Sequence, residues 1–456
     1  MKTIVLFLII FPFLANSQVN SDSIFIKKVS DEILLHGKAY DLLFKLTKQI
    51  GGRLSGSPQY FKAVQWAQTS MQTLGADTVY LQECMVPHWV RGGKDKVSIV
   101  EVNQKPAAID LDALALGNSL GSGGKSIRSN VVAVADFAEL ERRKEEVKGK
   151  IVYYNYAFNP TYIRPGNAYG EAGIYRYTGA SRAAKYGAVA VLIRSLTEAT
   201  DNNPHTGVMY YNDSFPKIPA ASLGLDDADK LWFLSKQSPV TVSIHTNATF
   251  LPDTIGYNVI AELKGTEFPD QYITVGGHLD SWDVNEGAHD DGAGVVHTME
   301  VMRTFKALGY HPKHTIRFVL FANEENGGRG GKMYAATAKA KQEQHIFALE
   351  SDGGGFTPRG FSITATAQNW KKLNAWKPLF EPYGASALMA GGSGADVEPI
   401  HETFGTPAGE LSPDNQRYFD IHHARSDVFE AVNKRELLLG AVNMAALVYL
   451  VDQYGL

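Results

Sequence analysis

Residues 272–292, YITVGGHLDSWDVNEGAHDDG, give the first indication of the fold. The β-branched and aromatic run at 272–276 predicts a strand, and it leads directly into His278-Leu279-Asp280. Two adjacent aspartates, Asp290 and Asp291, follow in a glycine-flanked turn before a helical pattern begins. The stretch therefore predicts a strand, a polar turn and a helix, with histidine and carboxylate side chains where the strand ends.

The same arrangement recurs further along the chain. A strand predicted at 315–321 is followed by Asn323-Glu324-Glu325, and a strand predicted at 346–349 is followed by Glu350-Ser351-Asp352. Strands that alternate with helices predict an α/β fold, namely a doubly wound, largely parallel sheet with helices on both faces. Because such sheets bind ligands beyond the carboxyl ends of their strands, we expect these polar side chains to meet at one site.

The residue types at this edge indicate a metal site. Converging carboxylates repel one another unless a positive charge lies between them. Histidine and carboxylate ligands suit zinc, and an aspartate can bridge two ions. Three carboxylates against two Zn²⁺ leave a small net positive charge, which favours a bridging hydroxide at neutral pH. The residues that we predict as ligands of two Zn²⁺ ions per chain are His278, Asp290, Glu325, Asp352 and His423.

Composition limits the classes of function. The chain has 456 residues and a net charge of −4, so it shows no sign of the basic surface that nucleic-acid binding requires, and we expect no nucleic-acid partner. Cys84 is the single cysteine of the chain, which excludes an internal disulfide and a metal site built from several thiolates. The length favours two domains or more.

The N-terminal residues indicate export. Lys2 precedes an apolar run at 4–15, and small residues stand before Gln18, a pattern typical of a cleaved signal peptide over residues 1–17. The run is too short to span a bilayer comfortably, and no cysteine follows it to carry a lipid. We therefore expect a secreted or periplasmic protein with no membrane anchor.

The remaining chain divides into a catalytic domain and an insertion. We predict that residues 18–110 form the first part of the catalytic domain and residues 251–456 its second part, with the metal site. Residues 111–250 show a helix and strand pattern of their own and predict a separate, compact α/β module. Within it, the segment 158–177 is rich in Tyr, Gly and Arg and has little periodicity, so we interpret it as a surface loop over a cleft.

These motifs resemble those of a known family. The chain is similar to the two-zinc aminopeptidase family of metallopeptidases in five blocks: GHLDS at 277–281, DDG at 290–292, NEE at 323–325, ESD at 350–352, and His423 four residues before Asp427. Further blocks resemble a branch of that family that acts on dipeptides with free termini: GRLSGS at 52–57, VPHW at 86–89 and PHTG at 204–207. The central module resembles the protease-associated domain inserted in such enzymes.

The resemblance implies how the ligands are shared. His278 and Asp352 would bind one zinc ion, Glu325 and His423 would bind the other, and Asp290 would bridge the two ions.

The resemblance also implies roles for groups around the metals. Glu324 would be the general base that takes a proton from the metal-bound water. Asp280 would orient His278 from outside the ligand set, and Asp427 would do the same for His423, since metal-bound imidazoles usually have such a partner.

Two histidines leave the ligand assignment open. His422 adjoins His423 and competes with it as a ligand, although the spacing to Asp427 favours His423. His289 adjoins Asp290, but adjacent residues rarely both face one ion.

The resemblance finally implies local features and an activity. The peptide between Asp290 and Asp291 would be cis, and Ser393 and Asp396 would belong to a turn that lines the substrate pocket. We expect a homodimeric zinc exopeptidase that hydrolyses dipeptides or short peptides with free termini. The alternatives are a broad aminopeptidase on longer peptides, a transferase similar to glutaminyl cyclase, and an inactive ectodomain similar to a receptor.

Overall fold

The computed structural model describes residues 11–456, and their side chains from residue 21 onward. The predicted signal peptide at 1–17 begins outside the described residues, and export stays a prediction. The helices are α1 Phe11–His36, α2 Ala39–Phe44, α3 Pro58–Thr73, α4 Phe137–Arg142, α5 Pro165–Ala184, α6 Leu225–Gln237, α7 Ala293–Ala307, α8 Arg329–Ala340, α9 Ala367–Phe380, α10 Glu398–Phe404, α11 Tyr418–Ile421 and α12 Lys434–Tyr454. The strands are β1 Thr78–Val90, β2 Lys96–Val102, β3 Lys105–Leu111, β4 Ala113–Ala115, β5 Ile127–Val134, β6 Ile151–Tyr154, β7 Ala190–Arg194, β8 Ala220–Leu223, β9 Val240–His245, β10 Thr249–Leu263, β11 Phe268–His278, β12 His314–Phe321, β13 Gln344–Glu350, β14 Pro358–Thr364, β15 Ala387–Ala390 and β16 Ala408–Pro413.

Local sequence signals account for the ends of several helices. Helix α3 begins after Ser57, whose side chain accepts a hydrogen bond from the backbone N–H of Tyr60 at 3.1 Å. Proline at the first helical position is favourable because its fixed φ suits a helix and its missing N–H has no partner there. Helix α12 begins after Asn433, whose side chain caps the N–H groups of Arg435 and Glu436.

The first sheet has eight strands in the order β1-β10-β12-β11-β13-β16-β14-β15. The four strands β12, β11, β13 and β16 run parallel to one another. Strand β12 is buried along its whole length, as expected for a central strand that is covered on both faces.

The sheet is mixed, so the expectation of a largely parallel sheet is wrong in this respect. The pairs β1–β10, β10–β12 and β16–β14 are antiparallel. The physical reason is that a buried strand shows the same apolar pattern in either direction, so its pattern does not tell which way it runs. The prediction of an α/β fold is confirmed.

Helices cover both faces of this sheet, as predicted. Along β12, Ile316 and Phe318 pack in the larger core with helices α1, α2, α3, α7, α9 and α12. Val319 and Phe321 point to the opposite face and pack with α8 and α10. This alternation follows from the two-residue side-chain period of a strand.

A second eight-stranded sheet is built between β1 and β10. Its order is β3-β2-β9-β5-β6-β7-β8-β4, and two apolar clusters cover its faces. Strands β5, β6, β7 and β8 are parallel, and the other pairs are antiparallel. Since β1 and β10 pair with each other in the first sheet, the chain leaves that sheet after β1 and returns to it at β10.

The interpretation of 158–177 as a surface loop is wrong for most of that segment. Helix α5 begins at Pro165 and runs to Ala184, and it buries Ala168, Ala172, Tyr175 and Arg176. The segment lacks a clear apolar stripe because small residues, one tyrosine and one arginine form its buried face. Packing against the rest of the protein therefore stabilises a helix that the local pattern did not indicate.

Helix α12 is long and apolar enough to cross a membrane by length and composition alone. However, 83% of the apolar window of α12 is buried inside the protein, which is typical of the core helix of a globular domain.

Candidate metal centre

Three parallel strands deliver the predicted site residues to one edge of the first sheet. Strand β11 ends at His278, β12 leads into Glu324 and Glu325, and β13 leads into Asp352. The register places His278 beside Phe321 and Gly276 beside Glu350, so the three carboxyl ends are level. Convergence of these side chains therefore follows from strand direction and register.

His278 lies in a first group of possible metal ligands. Its Nε2 is 3.3 Å from Oδ1 of Asp290 and 3.2 Å from Oδ1 of Asp352. One ligand atom from each of the three residues lies within 4.8 Å of the others. These distances suit three ligands of one cation.

His423 lies in a second group on the other side of Asp290. Its Nε2 is 3.3 Å from Oδ2 of Asp290 and 3.2 Å from Oε2 of Glu325. Asp290 thus presents Oδ1 to one histidine and Oδ2 to the other. This is the arrangement that a carboxylate needs in order to bridge two ions.

The two histidines that the sequence left open have different positions. His422 stacks on His423, with 3.5 Å between ring centroids, and its Nε2 is 3.5 Å from Oδ2 of Asp290, so it remains a possible ligand. His289 instead stacks on Phe356, and its Nδ1 accepts the backbone N–H of Gly355. His289 therefore faces away from Asp290.

Asp280 makes contacts with two site residues. Its backbone carbonyl is 3.0 Å from Nδ1 of His278, whereas its carboxylate Oδ1 is 3.9 Å from that nitrogen. The same carboxylate oxygen accepts the backbone N–H of Glu324 at 3.1 Å. Asp280 thus fixes the orientation of the imidazole through its main chain and holds the start of the Glu324 turn through its side chain.

Asp427 contacts a different group from the one expected. Its two carboxylate oxygens accept the backbone N–H groups of His289, at 2.7 Å, and Asp290, at 3.2 Å. These hydrogen bonds support the segment that carries Asp290, not the imidazole of His423. The peptide between Asp290 and Asp291 is cis, as the resemblance implied.

The buried carboxyl groups of the site need a positive charge nearby to be stable in their ionised form. Burial raises the pKa of Asp352, and burial together with the charge of Asp290 raises the pKa of Glu325 well above its usual range. Burial also acts to raise the pKa of Asp290, but the adjacent imidazoles of His278 and His423 outweigh it and hold that pKa well below the usual range. A carboxylate cluster of this kind is stabilised by cations.

Unpaired atoms in the site support the same conclusion. Nε2 of His278, Oδ2 of Asp290 and Oδ1 of Asp352 are buried and have no hydrogen-bond partner among the described residues. Buried polar atoms are nearly always paired, so atoms of this kind are expected to have a ligand. Imidazole nitrogens and carboxylate oxygens are the donors that zinc prefers in the absence of thiolates. The residues present therefore fit zinc.

A cavity of about 470 Å³ opens onto this site. One wall carries Asp290, Glu324, Glu325, Asp352 and the two adjacent histidines. The other wall comes from the inserted sheet and its helix α5. The residues on that wall are Tyr169, Arg176, Tyr177, Val208 and Tyr210. The cavity has the size of a small-ligand pocket and lies between the two sheets.

The predicted pocket residues Ser393 and Asp396 do not line this cavity. Asp396 is buried, and the backbone N–H groups of Asp396 and Val397 donate to Oε2 of Glu350. The turn therefore packs behind the strand end that leads to Asp352.

Sequence reasoning missed two buried arginines near the site. Arg53 donates to the backbone carbonyls of Leu279, Glu286 and Gly287, and so fixes the loop between β11 and α7. Its position in the block at 52–57 was a usable signal. Arg176 lies in the segment interpreted as a loop, where no pattern pointed to it.

Comparisons with known proteins show which family has this sequence and fold. A sequence model of peptidase family M28 matches residues 258–448. Carboxypeptidase Q of Xenopus laevis is 37% identical to this chain over 87% of this chain and 82% of its own length. Carboxypeptidase Q of Mus musculus is 34% identical over 91% of this chain and 85% of its own length. The crystal structure of a peptidase M28 precursor from Shewanella amazonensis superposes with a TM-score of 0.89 at 32% identity, covering 95% of this chain and 97% of that one. A zinc aminopeptidase from Bacillus subtilis shares the fold, with a TM-score of 0.66 at 20% identity over 90% of this chain and 94% of its own. The chain therefore belongs to peptidase family M28 and is a metallopeptidase homologous to carboxypeptidase Q.

Proposed function

We propose that this protein is an exported, zinc-dependent exopeptidase that hydrolyses dipeptides or short peptides with free termini. The observation that carries the proposal is the position of Asp290 between His278 and His423, beside Glu324 in a cavity of about 470 Å³. The homology to carboxypeptidase Q and the fold shared with a zinc aminopeptidase support it.

Two zinc ions are part of the proposal. His278 and Asp352 would hold one ion, Glu325 and His423 the other, and Asp290 would offer one oxygen to each. When bound, zinc ions of this kind act as Lewis acids on a carbonyl and lower the pKa of a coordinated water.

Glu324 is the group that we assign to proton transfer. Burial raises the pKa of its carboxyl to about 8 in the zinc-free protein. Bound cations would lower that pKa, so that the ionised carboxylate could take up a proton near neutral pH and release it again. Its backbone N–H is held by Asp280, and the residue lines the cavity. Glu324 would accept the proton of the attacking water and deliver it to the leaving amine.

The inserted sheet closes the cavity opposite Glu324. We propose that the insertion, residues 111–250, is a domain similar to the protease-associated domain, between catalytic parts at 18–110 and 251–456. Strands β2 and β3, which begin before residue 111, extend its sheet. The wall that it supplies limits the length of the substrate and excludes water. A homodimer and a secreted or periplasmic location are further parts of this proposal.

The test is hydrolysis of a free dipeptide beside its C-terminally amidated twin, each with chelator and with zinc added back. Cleavage of the free dipeptide that is lost with chelator and restored by zinc is the expected result. Equal cleavage of both substrates would instead favour a broad aminopeptidase. No cleavage of either by zinc-loaded protein would contradict the proposal and favour a transferase similar to glutaminyl cyclase or an inactive ectodomain.

A further inference from the structure

Arg176 is a buried cation on the wall of the cavity that faces the metal centre. The residue is 2% exposed, and it is the one lysine or arginine among the described residues that line the cavity. Two other buried arginines are paired with carboxylates: Arg91 has Asp283 at 2.8 Å, and Arg317 contacts glutamates. Buried Arg53 instead donates to three backbone carbonyls outside this cavity's lining. For Arg176, no ion pair with an aspartate or glutamate is seen in the part of the chain whose side chains are described.

The protein stabilises this charge without neutralising it. The guanidinium carbon lies 5.1 Å from the ring centre of Tyr169 and 4.7 Å from that of Tyr177, so both rings make cation–π contacts. Nε donates to the backbone carbonyl of Val208 at 3.2 Å. An arginine stays charged in any protein environment, and an unpaired buried charge is costly. The arrangement suits an anionic group that arrives from outside.

Arg176 also lies close to the proposed metal ligands. A Cβ built on Gly207 would lie 2.5 Å from Nη1 of Arg176 and 2.7 Å from Nδ1 of His423. The guanidinium and the imidazole thus border the same small space, which glycine leaves open. Arg176 therefore lies on the Nδ1 side of His423, whose Nε2 faces Asp290 and Glu325, and it lines the same cavity as these proposed ligands.

A dipeptide carries its C-terminal carboxylate near the bond that is cut. The C-terminal carboxylate of a dipeptide belongs to the residue directly after the scissile bond, and consecutive Cα atoms are about 3.8 Å apart. In a longer peptide the carboxylate lies further from the bond that is cut. A planar guanidinium near the metal ligands would bind the carboxylate of a dipeptide with two hydrogen bonds.

We propose that Arg176 is the specificity-determining residue that binds the free C-terminal carboxylate of a dipeptide substrate. The inference rests on the proposed peptidase function and names the substrate group that the inserted wall recognises. A competing role for Arg176 is stabilisation of the oxyanion at the scissile carbonyl. That role would affect free and amidated substrates equally, whereas carboxylate binding affects only the free acid.

The experiment compares Ala-Leu with Ala-Leu amide on zinc-loaded enzyme. Arg176→Gln is expected to lower kcat/KM for Ala-Leu about 100-fold, the size of effect seen when one partner of a buried charge pair is removed. Hydrolysis of the amide should change less than about threefold, so the preference for the free acid disappears. The kcat/KM of Arg176→Lys for Ala-Leu should lie between those of wild type and Arg176→Gln, because a compact ammonium group replaces the planar guanidinium. Arg182→Gln, on the same helix but packed over Phe137, is the matched control and should keep the preference.

The outcomes separate the inference from the proposed function. Equal losses on both substrates, or an unchanged preference in Arg176→Gln with full zinc content, would overturn the assignment of Arg176 alone. Wild-type enzyme that hydrolyses neither substrate would overturn the proposed function and with it this inference. If Arg176→Gln does not fold, the inference is tested by inhibition of the wild-type enzyme. The inhibition constant of leucine should then be at least about 10-fold lower than that of leucinamide. Equal inhibition would contradict a carboxylate site.

Discussion

Asp427 holds the backbone of Asp290, with 3.2 Å between its Oδ2 and the amide nitrogen of Asp290. Its second oxygen accepts the neighbouring N–H of His289 at 2.7 Å. Asp427 precedes helix α12 and Asp290 precedes helix α7, so the contact joins two loops that are distant in sequence. Asp290 is thereby fixed from its main chain while its carboxylate faces both His278 and His423.

We expect Asp427→Asn to weaken zinc binding about 10- to 100-fold, the usual effect of removing a group that supports metal ligands. An amide keeps one acceptor oxygen but turns an N–H₂ group toward the second backbone N–H, which is left unpaired. Competition with a chelator measures the affinity. Asp420→Asn, a change on the nearby helix α11, is the control. Unchanged affinity in Asp427→Asn would show that Asp290 needs no such support.

Asp290→Ala should lose both zinc ions together, because each oxygen of Asp290 faces a different histidine. Metal content per chain, measured by mass spectrometry after dialysis, gives the result. The exposed His311→Ala serves as a control and should bind as much zinc as wild type. If one ion stayed fully bound in Asp290→Ala, the residue would not be a bridge.

Glu324→Gln should keep its zinc and lose turnover by about 10²- to 10⁴-fold, because an amide cannot accept the proton of the attacking water. Metal content and kcat on a free dipeptide are measured on the same sample. Glu325→Gln is the informative comparison, since it should lower zinc content as well. Activity near the wild-type level in Glu324→Gln would remove the assigned base.

Gly117→Ala should destabilise the contact between the two sheets. A Cβ at this position would lie 1.8 Å from a ring carbon of Trp282, and overpacking of this kind costs about 1–3 kcal/mol. The backbone N–H of Trp282 donates to Oε1 of Glu325 at 3.1 Å, so zinc binding should weaken too. Thermal unfolding and chelator competition test both effects. Gly170→Ala, where an added Cβ meets nothing within 4 Å, is the control. A wild-type Tm in Gly117→Ala would contradict the tight contact.

Glu410→Gln should change how the stability of the zinc-free protein depends on pH. Burial, with the nearby carboxylate of Asp352, raises the pKa of Glu410 from 4.5 to about 8. Below pH 4.5 the carboxyl of Glu410 is protonated in both the folded and the unfolded protein, and its contribution to the free energy of unfolding is fully present. Between pH 4.5 and about 8 the folded protein keeps a proton that the unfolded chain releases, so stability falls as pH rises, by at most about 1.4 kcal/mol per pH unit.

Denaturant unfolding at several pH values provides the measurement. Glu410→Gln should gain stability relative to wild type as pH rises from 5 to about 8, and less so with zinc bound, because the cation offsets the charge of Asp352. Glu267→Gln, at an exposed carboxyl, should show no such trend. A constant difference between Glu410→Gln and wild type across this range would mean that the group is already ionised in the folded protein.

Elements with a local signal could be predicted from the sequence. The cap at Ser57, the apolar spacing of α12 and the β-branched runs of β11 and β12 are each encoded within a few residues. Strand direction could not be predicted, since the antiparallel pairing of β10 and β14 leaves no mark on their composition. Helix α5 was missed because its buried face consists of small residues with Tyr175 and Arg176, and such a face has no clear apolar period.

By itself the sequence determined the chemistry that this protein can carry: histidines and carboxylates placed directly after successive strands, with no thiolates among them. It also determined that the chain is an α/β protein, because the alternation of strand and helix patterns is local. The tertiary structure alone decided which atoms meet: Asp290 between two histidines, Asp427 behind its backbone, and Arg176 facing the site from helix α5. These contacts join residues far apart in the chain, and they depend on strand direction, register and packing, which short-range patterns do not contain.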